Sequence, residues 1–279
     1  MKKFLTVYPR NYGVNYEINP WMEGQVGNVD QFLAKKQWLA LIDVLKTIPD
    51  VEIQYDLYQP EETPDMVFTA NAGLVLGKTI FLSNFHHPQR QPEKALFKEY
   101  FEEKGYAIAE LPKHVSFEGA GDALFDSLGN LFIGNGFRSS KEATKYFDRI
   151  ARGYVYSLTL IDPRFYHLDT CFCPLSKNYI SRDYLYYPGA FDYSALRYIH
   201  SLRSHWTELL NMIEVSEEDA LNFACNAINV NEYVILNRAS QGLKDQLSER
   251  GYKVIETPLT EFIKAGGSAK CLTLEIGEE

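Results

Sequence analysis

A cysteine near the end of the sequence is the leading candidate for a nucleophile. Cys271 follows two glycines in Gly-Gly-Ser-Ala-Lys-Cys-Leu-Thr, residues 266–273, and precedes a short apolar run. Glycine permits unusual backbone angles and lets a substrate come close to the chain. Any single cysteine is more often a small buried apolar residue, and that interpretation is favoured for Cys171, Cys173 and Cys225. The glycines distinguish Cys271 from them.

An imidazole and several carboxylates lie far upstream of this thiol. His167 begins His-Leu-Asp-Thr, and on a strand Asp169 would point to the same face, where its carboxylate could orient the imidazole or bind a cation. Glu118 and Asp122 flank a glycine-rich bend, and Asp65 opens a run of β-prone residues. Together with a thiol, these groups could perform nucleophilic chemistry on a cationic substrate. Taken singly, each is also compatible with a solvated turn or a core histidine.

The elements that must position these residues repeat along the chain. Apolar periodicity predicts helices at 92–104, 141–151, 194–212 and 241–250, and strands at 51–55, 72–76, 79–82, 106–111, 123–125, 131–133, 155–161, 170–172, 179–186, 213–215, 227–230 and 233–236. A fifth pattern has strands at 252–256 and 271–276 but only a short helix after Thr260. The predicted helix 29–48 and strand 4–8 would complete it.

Five strand–strand–helix modules predict an α/β fold in which the modules close into a ring, with the helices outside and the site at the centre. An irregular α+β sheet is the alternative, because periodicity alone does not separate the two. No linker rich in Pro, Gly or Ser interrupts the sequence, so residues 1–279 are predicted to form a single domain.

The composition, with 46% hydrophobic and 23% charged residues, is typical of a soluble globular protein. A net charge of −9 argues against nucleic-acid binding, and no apolar run approaches the roughly 20 residues of a membrane helix. Tyr8 and Pro9 interrupt the start before an apolar signal core forms, which predicts a cytoplasmic protein. Without a Cys-x-x-Cys or His-Glu-x-x-His motif, no metal or other cofactor is expected. A homo-oligomer is compatible with the sequence.

Four motifs taken in order resemble the guanidino-group-modifying, or pentein, superfamily. The motifs are Asp65 with Phe-Thr-Ala-Asn at 68–71, Glu-Gly-Ala-Gly-Asp at 118–122, His-Leu-Asp-Thr at 167–170, and the terminal Gly-Gly…Cys-Leu-Thr. Their order and spacing match over nearly the whole chain. The resemblance implies a five-bladed β/α propeller, with Cys271 as nucleophile, His167 as general acid and base, Glu118 as a third catalytic residue, and Asp65, Asp169 and Asp122 around the substrate.

The implied chemistry suits these residue types. A guanidinium carbon is a poor electrophile and requires a thiolate, while carboxylates can bind its N–H groups in pairs and aim the carbon at sulfur. After the thiolate adds, His167 would protonate the departing amine and then deprotonate the water that attacks the S-alkylthiouronium intermediate.

Departures from the superfamily pattern point to one subgroup. Arginine deiminases carry Phe-Thr-Arg-Asp at this motif, and dimethylarginine dimethylaminohydrolases carry Val-Glu-Asp. This chain has Thr-Ala-Asn at residues 69–71, so Asn71 replaces a carboxylate. The longer acidic motif and Ile-Asn-Pro-Trp-Met-Glu-Gly at 18–24 also look like arginine dihydrolases, which convert arginine to ornithine, carbon dioxide and two ammonia. An amide both donates and accepts, so Asn71 could bind arginine and then neutral citrulline. Asn19 is the second candidate of this kind, and ordinary turn asparagines are the alternative for both.

Two arginines are candidates for the substrate α-carboxylate by the same resemblance. Arg138, in Gly-Asn-Gly-Phe-Arg-Ser-Ser, is preferred over Arg90, and surface arginines are the alternative. The expected partner is a small guanidino compound, arginine or a methylated arginine, and any coupling to ornithine consumption would need a separate protein. The functional alternatives are a dimethylarginine dimethylaminohydrolase or arginine deiminase that releases citrulline, then an amidinotransferase, and finally a non-catalytic ribosome-binding protein of the same fold.

Overall fold

The computed structural model describes residues 1–148, 150–178, 182–204 and 210–277. Its strands, in chain order, are β1 (Lys2–Leu5), β2 (Val51–Gln54), β3 (Gly73–Leu76), β4 (Thr79–Leu82), β5 (Ala107–Glu110), β6 (Ala123–Phe125), β7 (Leu131–Asn135), β8 (Val155–Thr159), β9 (Phe172–Leu175), β10 (Arg182–Tyr186), β11 (Leu210–Glu214), β12 (Ile228–Val230), β13 (Tyr233–Leu236), β14 (Lys253–Glu256) and β15 (Leu274–Glu275). The α-helices are α1 (Gln31–Thr47), α2 (Glu93–Glu103), α3 (Thr144–Phe147), α4 (Tyr193–Ser204), α5 (Glu217–Leu221), α6 (Gln241–Glu249) and α7 (Thr260–Ile263).

These strands form five three-stranded sheets built to one plan. In each sheet the central strand pairs antiparallel with one neighbour and parallel with the other. Thus β4 is antiparallel to β3 and parallel to β5, and α2 lies between β4 and β5 in the sequence. A tight turn suffices for the antiparallel pair, whereas the parallel pair needs a longer crossover, which the helix supplies. The five strand–strand–helix modules expected from the sequence are therefore confirmed.

One sheet is assembled from the two ends of the described chain. β15 pairs antiparallel with β1, with Leu274 opposite Leu5, and β1 pairs parallel with β2, with Phe4 opposite Ile53. Helix α1 lies between β1 and β2 in the sequence. The prediction that an N-terminal helix and strand complete the last module is confirmed, although β1 lies at Lys2–Leu5 rather than at 4–8. The strand predicted at 252–256 for that module is instead β14, which pairs in parallel with β13 in the preceding sheet, so its predicted place is wrong.

The chain divides into two compact units. The first comprises residues 1–120 and 257–279 and contains the sheets β15-β1-β2 and β3-β4-β5. The second comprises residues 121–256 and contains the other three sheets. The single domain over 1–279 stays a prediction.

Several predicted elements end elsewhere in the structure. The helix predicted at 194–212 ends at Ser204 as α4, and β11 begins at Leu210, so the helical prediction is wrong for 210–212. There the chain pairs in parallel with β10, and Ile213 lies opposite Leu185, because the sheet recruits this apolar stretch as its third strand. The strand predicted at 170–172 is a 3-10 helix followed by β9, and the helix predicted at 141–151 shortens to a 3-10 turn and α3. Parts of these predictions at 149, 179–181 and 205–209 lie outside the described residues.

No helix in the described ranges combines the length and the apolar character needed to cross a membrane.

Candidate active site

In the first unit, two consecutive 3-10 helices carry two of the predicted site residues. Pro64–Val67 contains Asp65 and Thr69–Ala72 contains Asn71, and both side chains are buried. Proline fixes the backbone at the first position of the first helix. Gly73 ends the second helix where a Cβ would lie 2.5 Å from the Phe81 carbonyl oxygen, so only glycine lets strand β4 come this close.

Cys271 lies beside these helices, in a turn. Its carbonyl oxygen accepts a hydrogen bond from the backbone N–H of Ala70 (3.1 Å), and its side chain is 3% exposed. Bonds from Leu272 N to Ser268 O and from Thr273 N to Lys270 O, both 3.1 Å, close the turn before β15. The strand predicted at 271–276 is therefore wrong at Cys271, because residues 268–273 form a turn and β15 begins only at Leu274.

The glycines before Cys271 have separate roles. Gly266 adopts φ +81° and donates to Ile263 O (2.8 Å), which ends α7 in a left-handed turn. A Cβ at Gly267 would lie 2.3 Å from Cε1 of Phe68, so the chain here packs directly on that ring. The unusual backbone angle expected from the sequence is confirmed at Gly266.

Glu118 is joined to the same pair of 3-10 helices. The Asn71 Nδ2 donates to the Glu118 carbonyl oxygen (3.0 Å), and the backbone N–H of His86 donates to Glu118 Oε1 (3.0 Å). Gly119 follows at φ +62°, and a Cβ there would lie 2.7 Å from Gly73 N and 2.8 Å from Ala70 O. Because residue 119 is a glycine, the Glu118 peptide can pack directly against the backbone of residues 70–73.

Arg90 is buried at the centre of this group. Its Nε and Nη2 donate to the two carboxylate oxygens of Glu93, both at 2.8 Å, its Nη1 donates to Asn71 Oδ1 (2.8 Å), and its Nη2 also donates to Asp65 O (3.2 Å). Burial opposes its charge, but the Glu93 carboxylate outweighs this and raises the pKa of Arg90. Four of its five N–H donors are thus in use. The surface-arginine alternative is wrong for Arg90, while its role toward a substrate carboxylate stays a prediction.

Two residues of this group escaped the sequence analysis. Glu93 is fully buried, and burial raises its pKa to about 7 although Arg90 opposes the rise. Tyr16 donates its hydroxyl to Asp65 Oδ2 (2.9 Å), and burial followed by the Asp65 charge raises the pKa of this phenol. In the sequence, Glu93 resembles any acidic residue in the first turn of a helix. The one signal that could have indicated an ion pair at Glu93 was Arg90, three residues earlier.

Asn19 caps a short 3-10 helix. Its Oδ1 accepts from the backbone N–H groups of Trp21 (3.0 Å) and Met22 (3.3 Å), and its Nδ2 donates to Ala265 O (3.1 Å). These contacts tie the start of the chain to the residue before the glycine turn. Its role toward a substrate stays a prediction.

In the second unit, His167 and Asp169 lie on a 3-10 turn. His167 is the residue before the helix Leu168–Thr170, is 2% exposed, and accepts at its carbonyl oxygen from Thr170 N (3.2 Å) and Oγ1 (2.6 Å). Asp169 is buried, and its carbonyl oxygen accepts from Asn226 Nδ2 (3.0 Å). The expectation that the two share one strand face is wrong, because the strand starts only after Cys171.

Asp122 binds the backbone that follows His167. Its Oδ1 accepts from Leu168 N (3.0 Å) and its Oδ2 from Ser139 Oγ (2.6 Å). Arg138, next to that serine, is 3% exposed and its Cζ lies 4.4 Å from the centre of the Tyr166 ring. The surface-arginine alternative is therefore wrong for Arg138 too.

Contacts thus assemble the predicted residues as two groups, one in each unit. The first unit holds Asn19, Asp65, Asn71, Arg90, Glu118 and Cys271, and the second holds Asp122, Arg138, His167 and Asp169. The remaining cysteines are buried as expected, and burial raises the pKa of the Cys171 and Cys225 thiols, which makes them poor nucleophiles. Within the described ranges, no three or more His, Cys, Asp or Glu side chains are arranged to hold a metal ion.

The repeated module first defines a fold class, which solved structures confirm. A substituted form of the N-terminal domain of ArgZ, an arginine dihydrolase from the ornithine–ammonia cycle in cyanobacteria, bound to its substrate, matches with a TM-score of 0.91 and 49% identity over 100% of this chain and 99% of that one. Another substituted form of that domain, covalently bonded to a reaction intermediate, matches with a TM-score of 0.91 and 48% identity over 100% and 98%. The predicted α/β pentein class is confirmed.

Sequence comparison then identifies the family. A profile described as N,N dimethylarginine dimethylhydrolase, eukaryotic, matches residues 18–278, and the chain belongs to this family. The bifunctional arginine dihydrolase/ornithine cyclodeaminase ArgZ of Synechocystis is 50% identical over 278 residues, which are 99% of this chain. The chain spans 38% of the length of that relative.

Proposed function

We propose that this chain is a cysteine-dependent hydrolase of the arginine guanidinium group, and specifically an arginine dihydrolase. Arginine and two waters would give ornithine, carbon dioxide and two ammonia. The likeness to ArgZ supports this activity. The observation that carries it is the buried segment 64–72, which holds Asp65 and bonds through Ala70 to the Cys271 peptide and through Asn71 to the Glu118 peptide.

The charges of the first unit suit a cationic substrate. Asp65 and Glu118 are at most 1% exposed. The charges of both act on Arg90, but its guanidinium is already paired with Glu93 through a two-point contact. A guanidinium bound by Asp65 and Glu118 would be paired in the low-dielectric interior, where paired charges are tolerated and single ones are costly.

In the proposed reaction, the Cys271 thiolate adds to the guanidinium carbon and His167 protonates the departing ammonia. His167 then takes a proton from water, whose oxygen attacks the thiouronium carbon and expels the thiolate, leaving citrulline. A second addition of Cys271 to the ureido carbon would expel the other nitrogen as ammonia. Water would then release a carbamate, which decomposes to carbon dioxide and ornithine.

Asn71 is proposed to permit the second round. Its amide carries donor and acceptor atoms without charge, so it does not favour a cation over the neutral ureido group as a carboxylate would. Asp169, Arg138, Asp122, Asn19 and Arg90 are proposed to support substrate binding, as the superfamily resemblance implies. The substrate is thus proposed to be arginine, and the cellular location the cytoplasm, a reducing compartment that suits four buried thiols.

Dimethylarginine hydrolysis is the second candidate, because the family profile carries that description. The two functions separate when the protein is incubated with arginine or with asymmetric dimethylarginine and the products are quantified. A dihydrolase yields ornithine and two ammonia from each arginine. Citrulline that accumulates without ornithine would refute the dihydrolase, and dimethylamine release without arginine turnover would establish the second candidate.

The nucleophile is tested by mass spectrometry of protein quenched during turnover of arginine. A covalent adduct is expected on the peptide that contains Cys271, and Cys271→Ser should abolish both adduct and turnover. Cys225→Ser is the matched control, because Cys225 is equally buried and should leave both intact. An adduct on any other cysteine would overturn the assignment.

A further inference from the structure

A buried ion pair joins Arg90 to Glu93, the first residue of helix α2, and the proposed reaction gives Glu93 no role. Arg90 and Glu93 are 3% and 0% exposed, and two parallel hydrogen bonds of 2.8 Å join them. The Arg90 Cζ also lies 4.8 Å from the centre of the Phe85 ring. The plane of the guanidinium is thereby set by a carboxylate on one edge and an aromatic ring on one face.

This ion pair determines which way the Asn71 amide points. Arginine can only donate, so the atom of Asn71 that lies 2.8 Å from Arg90 Nη1 must be the oxygen. The Glu118 carbonyl can only accept, so the atom 3.0 Å from it must be the nitrogen. Rotation of the amide by half a turn would oppose donor to donor and acceptor to acceptor, and would lose both bonds.

Glu93 also occupies Arg90 in a two-point contact, so that the guanidinium does not pair with the carboxylates proposed to bind the substrate. Besides Glu93, the negative charges that act on Arg90 belong to Asp65 and Glu118. Without the Glu93 carboxylate, these two would attract the guanidinium. Arg90 would then compete for the groups that bind a substrate guanidinium and would leave Asn71.

We propose that Glu93 is a positioning residue: it holds Arg90, and through Arg90 it fixes the Asn71 amide with its oxygen toward Arg90 and its nitrogen toward Glu118. This inference rests on the proposed function for its catalytic consequence. An amide held in one orientation presents one fixed set of remaining donor and acceptor positions to arginine and citrulline. Loss of that orientation should therefore affect the second round most.

The first test is the ratio of citrulline to ornithine produced by Glu93→Gln from arginine. A glutamine has the same shape, but its NH2 group opposes one of the Arg90 donors, so the two-point contact is lost. The ratio should rise about tenfold, because hydrogen bonds to charged groups are worth that much or more. A ratio does not depend on the fraction of folded protein. Glu99→Gln, on the exposed face of the same helix, is the matched control and should leave it unchanged.

A second measurement is independent of the reaction. In protein labelled with 15N-asparagine, the side-chain amide of Asn71, assigned by its disappearance in Asn71→Asp, should exchange slowly with solvent deuterium because Glu118 O accepts from it. Glu93→Gln should accelerate this exchange at least about tenfold, and Glu99→Gln should not. If wild type turns over no arginine, the proposed function fails, yet the exchange rates still test the positioning role. Unchanged exchange in Glu93→Gln would overturn that role.

The double variant Arg90→Gln with Glu93→Gln covers the case in which the single variant does not fold. It removes both charges, and a buried pair replaced by neutral groups is tolerated better than one left unpaired. Glutamine at 90 can accept or donate, so the Asn71 orientation is no longer imposed and exchange should again be fast. Adding Glu93→Gln to Arg90→Gln should have no further effect on the ratio if Glu93 acts through Arg90. A further effect, or slow exchange in the double variant, would refute the inference.

Discussion

Replacement of Asn71 by aspartate is the most direct test of why this site carries an amide. In the structure, Oδ1 accepts from Arg90 Nη1 at 2.8 Å and Nδ2 donates to Glu118 O at 3.0 Å. Asn71→Asp would keep and strengthen the first bond, which becomes charge-assisted, and would lose the second. The lost bond leaves the Glu118 carbonyl oxygen facing a carboxylate oxygen, so the free energy of unfolding should fall by about 1–3 kcal/mol.

The effect on the products is separate from the effect on stability. A carboxylate binds a cation more strongly than a neutral group by the difference between a charge-assisted and a neutral hydrogen bond, about 1–1.5 kcal/mol. That difference corresponds to about a tenfold factor at room temperature. Arginine should still react, but citrulline should leave rather than re-enter the reaction. The ratio of citrulline to ornithine should therefore rise about tenfold.

The assay is a time course with arginine in which citrulline, ornithine and ammonia are quantified from the same samples. Asn222→Asp is the control for the loss of an amide-to-carbonyl bond, because the Asn222 amide also donates to the backbone oxygen of a glutamate, Glu218, at 2.8 Å, in an exposed position. It should leave the ratio unchanged. Asn71→Asp protein that is folded, turns over arginine and gives the wild-type ratio would refute the reasoning.

Three further perturbations have defined outcomes. Gly119→Ala should lower the free energy of unfolding by about 3 kcal/mol or more, because it places a Cβ 2.7 Å from Gly73 N at a residue with φ +62°. Urea titration measures this change, and an unchanged urea midpoint would contradict the close contact. Burial holds the pKa of Glu93 at about 7, above its ordinary 4.5, so its protonation contributes stability that is complete below about pH 4.5 and is lost as the pH rises through 7. Wild type should therefore lose stability relative to Glu93→Gln as the pH rises across that range, and parallel pH profiles would count against it. Tyr16→Phe removes a 2.9 Å bond to Asp65 Oδ2 and should raise KM for arginine about fivefold with little change in kcat, whereas a change in kcat alone would assign Tyr16 another role.

The sequence alone identified the modules and most of the residues proposed for catalysis. The five repeats were readable because each strand and helix is encoded by a local periodicity of apolar residues, as at β4 and α2. Cys271 and Glu118 were recognisable because each lies beside glycines in a short motif, and His167 because Asp169 follows it two residues later. In the structure Gly266 and Gly119 have positive φ angles, which glycine adopts more readily than other residues.

The tertiary structure alone decided how those residues are held. His167 lies on a 3-10 turn rather than a strand because Asp122 binds the backbone N–H of Leu168, which lies 46 residues after it in the sequence. Asn71 meets Glu118 across 47 residues, and Tyr16 meets Asp65 across 49. Contacts of this kind leave no local pattern, because each depends on where the intervening chain folds. Motifs thus determined which residues matter, whereas the partners that orient them followed only from packing between distant segments.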